Sequence, residues 1–91
     1  MSTKIGAHIK VLRGKRSLRE MERLTGVSHT YLMRVEGGKD NRSGNPIIPT
    51  PETLRKIAES TGENYIHLML VAGHLMERDL DDLSKIIKAG E

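Results

Sequence analysis

His29, Thr30, Met33 and Arg34 lie within two turns of one another, and helical spacing puts them on one side of a short helix. Their chemistry suits the edges of base pairs. An Arg fork meets O6 and N7 of guanine with two parallel hydrogen bonds, the commonest specific contact in a major groove. His29 and Thr30 can donate to or accept from a base, and Met33 can press on a thymine methyl. Tyr31, with an apolar ring and a polar tip, can lie along a nucleic-acid backbone with its hydroxyl on a phosphate. Lys15, Arg16 and Arg19 stand just upstream and are candidates for further phosphate contacts. Each residue also has a plainer role. Arg34 can pair with Glu22, His29 can be a solvated helix-start residue, and Tyr31 can be mainly a packing residue.

Other chemistries find little support. His8, His29, His67 and His74 show no metal-ligand spacing with acids, and the chain has no Cys, so no metal site is expected. No Ser/His/Asp order, nucleotide-binding Gly loop or pair of buried carboxylates stands out. The expectation is a protein without cofactor and without catalytic activity.

Composition narrows the class. Ninety-one residues suit one small domain, and with no Phe or Trp its core must be filled by Leu, Ile, Val and Met. The absence of Cys excludes disulfides and fits a reducing interior. The longest apolar runs are too short to span a bilayer, and the N-terminal stretch MSTKIGAHIK lacks the continuous apolar core of a signal peptide. A cytoplasmic protein is expected, associated with the nucleoid when on DNA, with no membrane partner. Net charge is +3, but residues 1–45 hold ten Lys/Arg against four Asp/Glu, and residues 46–91 hold five against eight. A basic half beside an acidic half suits one face turned to a polyanion and another turned away.

The elements that would position these residues follow from punctuation and period. Ile5, Ile9 and Leu12 mark an amphipathic helix over residues 4–13, capped by Ser2 or Thr3. Ser17 can cap a second helix with Leu18, Met21 and Thr25 on one face, and Gly26 can take the positive φ of a sharp turn. Ser28 can cap a third, with Ser28, Leu32 and Val35 facing the core and Gly37-Gly38 ending it. Two helices that short need a shared core, and the tight turn predicts a fixed angle between them, the helix-turn-helix arrangement. Residues 37–49 form a long polar loop whose end Ile47 and Ile48 can pin to the core. Thr50-Pro51-Glu52 starts a fourth helix with Leu54, Ile57, Ala58 and Thr61 inward and Gly62 as its stop. Asn64 can cap a fifth, with Tyr65, Leu68, Met69 and Ala72 inward, ending near Gly73. From Leu75 onward, early acids and late lysines suit the dipole of a last helix. Leu80, Leu83 and Ile87 make its apolar stripe, which Met76 can extend. That stripe fits either a second copy of the chain or the chain's own domain, and both remain open on sequence alone.

The stretch SLREMERLTGVSHTYLMRVEGG, residues 17–38, resembles the phage repressor and Cro-like (XRE-type) helix-turn-helix family. The likeness rests on Met21, Gly26, Val27, Leu32 and Val35 and on the run GVSHTYLMRVE, and covers about residues 4–73. It implies an all-α, five- or six-helix, lambda-repressor-like domain over residues 1–74, followed by a C-terminal helix over 75–91. It implies that Ser28–Glu36 is the recognition helix and that Arg13 pairs with Glu36. It also implies that the loop carrying Lys39, Asn41 and Arg42 touches the sugar-phosphate backbone. Two positions depart from the family: Leu18 stands where a phosphate-touching Gln is usual. Glu22 stands where Ala is usual, which predicts looser or rearranged packing between the two helices.

The function so implied is sequence-specific binding of duplex DNA and regulation of transcription by occupancy, as a repressor. Paired half-sites would be read by a homodimer joined through Met76, Leu80, Leu83 and Ile87. A reading from another class uses the same scaffold as a protein-interaction module, an antitoxin or an anti-repressor partner, docked on a regulatory protein.

Overall fold

The computed structural model describes residues 3–37, 45 and 47–89. It is all-α, with six helices and no strand among the described residues: α1 (Lys4–Arg13), α2 (Leu18–Thr25), α3 (His29–Gly37), α4 (Pro51–Thr61), α5 (Tyr65–Ala72) and α6 (Glu77–Ala89). No described helix is long and apolar enough to cross a membrane.

Local chemistry starts and stops these helices. Thr3 caps α1, its hydroxyl accepting from the Gly6 N–H at 3.0 Å. Ser17 and Glu20 form a reciprocal capping box at α2. Thr50 caps α4 with Pro51 in its first turn, and Asn64 caps α5, accepting from the His67 N–H at 3.0 Å. Gly26 and Gly62 close α2 and α4 in the left-handed region, both at φ 77°. Each follows a Thr whose hydroxyl donates back to the helix, Thr25 to the Met21 carbonyl at 2.8 Å and Thr61 to that of Ile57 at 2.7 Å. Thr25 Oγ1 also accepts from the Val27 N–H at 3.1 Å. This buried hydroxyl thereby satisfies the backbone at the α2–α3 turn.

The core is one cluster: Ile5 and Ile9 of α1, Met21 of α2, Val27 of the turn, Leu32 and Val35 of α3, Leu54, Ile57 and Ala58 of α4, and Leu68 of α5. Helix α1 packs on α3 and α5, α2 packs on α3 and α4, and α4 packs on α5. Thus α3 is held from two sides. Its contact with α1 is so close that a Cβ added at Gly6 would lie 2.2 Å from the Val35 carbonyl oxygen. The segment before α4 is anchored by buried Pro49, whose carbonyl meets His74 Nε2 at 2.7 Å, and by half-buried Ile47. Ile48, expected to help pin that segment, is 39% exposed.

Helix α6 is different. It is not among these packed pairs, and none of its described side chains is buried. Its first turn is held by Asp79, which accepts from the Met76 N–H at 2.8 Å.

Candidate nucleic-acid interface

Leu32 and Val35 turn one face of α3 fully into the core. A helix with that face buried must present the opposite face, and there Thr30, Met33 and Arg34 are exposed. Met33 keeps 53% of its surface. Arg34 makes no hydrogen bond or ion pair with a described residue. It does not pair with Glu22, whose Oε1 is engaged by His29.

Glu22 Oε1 accepts from the backbone N–H of His29 at 3.0 Å and is in close contact with His29 Nδ1. A carboxylate from α2 thus takes one of the orphan N–H groups at the start of α3. Its negative charge also sits at the positive end of that helix. The two helices are joined there by a polar tie. The hydrogen bonds from His29, ring first and backbone second, hold the Glu22 carboxyl below its ordinary value of 4.5. His29 is therefore no free solvated residue: its ring is fixed on one side and 37% exposed.

Ser28 departs from expectation. It is exposed, and its hydroxyl reaches the Tyr31 N–H only at 3.5 Å, a weak cap. Glu22 serves a different N–H of the same turn, that of His29. Tyr31 is half-buried against the core, and burial pushes its phenol up from 10.0, so much of its ring is a packing surface.

The cations around α3 are placed unevenly. Arg19, with its neighbour Arg23, lines a shallow open depression around Glu22 on α2. Arg23 is a candidate that sequence reasoning passed over; its signal is the spacing of four from Arg19, which stacks two cations on one helix face. Lys15 and Arg16 are exposed in the α1–α2 link, where Arg16 makes one long contact, 3.4 Å, to the Leu12 carbonyl. Lys39, Asn41 and Arg42 lie outside the described residues. Arg13 is committed to structure: its Nε and Nη2 donate to Glu36 Oε2 and Oε1 at 2.8 and 2.9 Å.

A second polar cluster lies elsewhere. His8 Nε2 meets Glu63 at 3.2 Å, and the rings of His8 and His67 stand 5.1 Å apart. No group of three His, Cys, Asp or Glu among the described residues is arranged to hold a metal ion. Met76, just before α6, and Leu83 and Ile87 on it are about half exposed, at 54%, 46% and 57%, and Leu80 is half-buried. Ile86, outside the expected stripe, is 69% exposed and widens it.

No family model, curated protein or solved structure matches this chain.

Proposed function

We propose that this protein is a helix-turn-helix regulator of lambda-repressor-like architecture. On this reading it binds specific duplex DNA and represses transcription by occupying its site. The observation that carries the reading is the outward face of α3. Thr30, Met33 and Arg34 are exposed, without a hydrogen bond or ion pair to a described residue, on a short helix packed against two neighbouring helices. A major groove admits one α-helix, and side chains fixed on a rigid helix keep their geometry toward base edges. Arg19, Arg23, Lys15 and Arg16 supply cations on the flanking elements, as phosphate contacts require.

A single short helix reads few base pairs, and we assign the exposed stripe of α6 to a second copy of the chain. Charge order supports that occupant. The first half of α6 holds Glu77, Asp79, Asp81 and Asp82 against the single cation Arg78, a net −3, and the second half holds Lys85 and Lys88, a net +2. Two α6 helices crossing antiparallel about a two-fold axis set acids of one against lysines of the other. A parallel pair would set like against like.

The test is selection of duplexes from a random pool at physiological salt, which suppresses non-specific binding. An enriched inverted repeat is the expected result, with half-sites about 34 Å apart along the duplex or a multiple of it. No enrichment by folded protein would remove the reading and leave a protein partner as the scaffold's use.

A further inference from the structure

The tie between Glu22 and His29 constrains what His29 can offer to a ligand. One carboxylate oxygen faces two nitrogens of the same residue, the backbone N–H at 3.0 Å and ring Nδ1. An ionised carboxylate only accepts, so the ring nitrogen against it carries a proton. In a neutral imidazole the other nitrogen then has a bare lone pair. That nitrogen, Nε2, makes no hydrogen bond or ion pair with a described residue, and the side chain keeps 37% of its surface beside Thr30 at the start of α3.

We propose that Glu22 is a positioning residue that fixes His29 in the Nδ1–H tautomer. Nε2 then faces the DNA as an acceptor and selects a base amino group at one position of the site. The inference rests on the DNA-binding reading above. In the major groove the available amino groups are N6 of adenine and N4 of cytosine. Guanine and thymine present acceptors at the corresponding places and would meet the lone pair of Nε2 with their own. The specificity of His29 is thus set by a residue that touches no base. Helix α2 supplies that residue from the second of its turns, where Arg19 and Arg23 flank it and can meet the backbone.

Two measurements test this. The first needs no DNA. Nitrogen NMR of the ring in the free protein at about pH 8.5, well above the ordinary titration of histidine, reads the tautomer. The expected spectrum has the proton on Nδ1, and Glu22→Ala moves it toward the mixture of a free imidazole. Glu22→Gln retains the wild-type tautomer. The backbone N–H of His29 needs an acceptor, and that need orients the amide with its oxygen inward. A ring protonated on Nε2 in the wild type, or on both nitrogens at that pH, overturns the proposal.

The second is selection of duplexes at the same pH with wild type, Glu22→Ala, Glu22→Gln and His29→Ala. The expected wild-type site favours adenine or cytosine at one position. His29→Ala loses that preference by about fivefold, the worth of one hydrogen bond. Glu22→Ala relaxes it in the same direction, and Glu22→Gln restores it. A Glu22 that only stabilises the fold would weaken all sequences alike and leave the base ratio unmoved, and that result overturns the proposal. Should Glu22→Ala fail to fold, the wild-type ring tautomer and the base ratio of His29→Ala still decide it. Enrichment by the wild type with the same base ratio in His29→Ala removes this inference alone. No enrichment by the wild type removes the DNA-binding reading and this inference together.

Discussion

Arg13 and Glu36, twenty-three residues apart, close a two-pronged ion pair between the last turn of α1 and the end of α3. The remaining prong of the guanidinium donates to the Arg16 carbonyl at 2.7 Å, so one side chain ties α1, the α1–α2 link and α3. The hydrogen bond to Glu36 raises Arg13 above its ordinary value. Lysine at this place keeps the charge but not the planar fork. Arg13→Lys should therefore cost about 1–2 kcal/mol, and Arg13→Ala should cost more, because Glu36 is then left partly buried and unpaired. For a chain of this size each kcal/mol lowers the melting temperature by about 4–8 °C. An unchanged melting temperature in Arg13→Lys would mean that charge alone suffices.

Gly6 marks the closest approach of α1 to α3. The Val35 carbonyl oxygen would lie 2.2 Å from an added Cβ, and backbone cannot swing aside as a side chain can. Gly6→Ala should destabilise by about 1–3 kcal/mol or more despite the better helix propensity of Ala. Gly37 is the control, since a Cβ there meets no described residue within 4 Å. Chemical denaturation of the two variants should give opposite signs, with Gly37→Ala neutral to slightly stabilising.

Acid should weaken the fold through two carboxyls. Glu22 lies below 4.5 because of His29. Glu63 lies below it chiefly because its carboxylate accepts from the Asn64 N–H at 2.9 Å, with His8 adding to the effect. A carboxyl depressed in the folded state binds fewer protons there than in the unfolded chain. Its contribution is complete above the unfolded value and disappears as pH falls through the folded one. Melting temperature should thus decline below about pH 4.5, and Glu63→Gln should flatten that decline. An equally steep fall in Glu63→Gln would place the acid sensitivity elsewhere.

The cations of the proposed interface should separate by role. Arg34→Ala should weaken binding to the selected site by about 1–3 kcal/mol and relax preference at one base position. Arg19→Ala and Arg23→Ala should instead weaken all sequences alike, each lowering the log–log salt slope by about one. If Arg34→Ala kept its sequence preference, Arg34 would have no part in reading bases. If the slope held in both α2 variants, the depression around Glu22 would lie off the DNA.

Much of the fold could be read directly because its signals are local. Ser17, Thr50 and Asn64 announce helix starts by their own side chains, and Gly26 and Gly62 announce stops by a backbone only glycine takes easily. Leu32 and Val35 fix the buried face of α3, and with it the outward set, by period alone. What stayed hidden depends on distances between helices. Glu22 reaches His29 only because α2 and α3 meet at a particular angle; within its own helix it is one more exposed acid. The need for glycine at position 6 comes from Val35, which no local pattern connects to it. Ser28 keeps a long capping bond to the Tyr31 N–H, but it is exposed and not turned to the core as its spacing from Leu32 and Val35 predicted.

Helix α6 offers the last prediction. Leu83, Ile86 and Ile87 keep between 46% and 69% of their surface, and Met76 just before the helix keeps 54%, so most of the apolar face of this thirteen-residue helix is uncovered by the described residues. A helix of that length is marginal in water unless its apolar face is covered. If a second copy covers it, sedimentation equilibrium should give a dimer. The double variant Leu83→Asp/Ile87→Asp should give a monomer with reduced helix content. Lys85→Glu/Lys88→Glu should also weaken the dimer, by removing the lysines that face the partner's acids in an antiparallel pair. Neither change touches α3, so the monomers should still select a half-site, at lower affinity and without the inverted repeat. A wild-type monomer at concentrations where it fills its site would assign the stripe to a different protein.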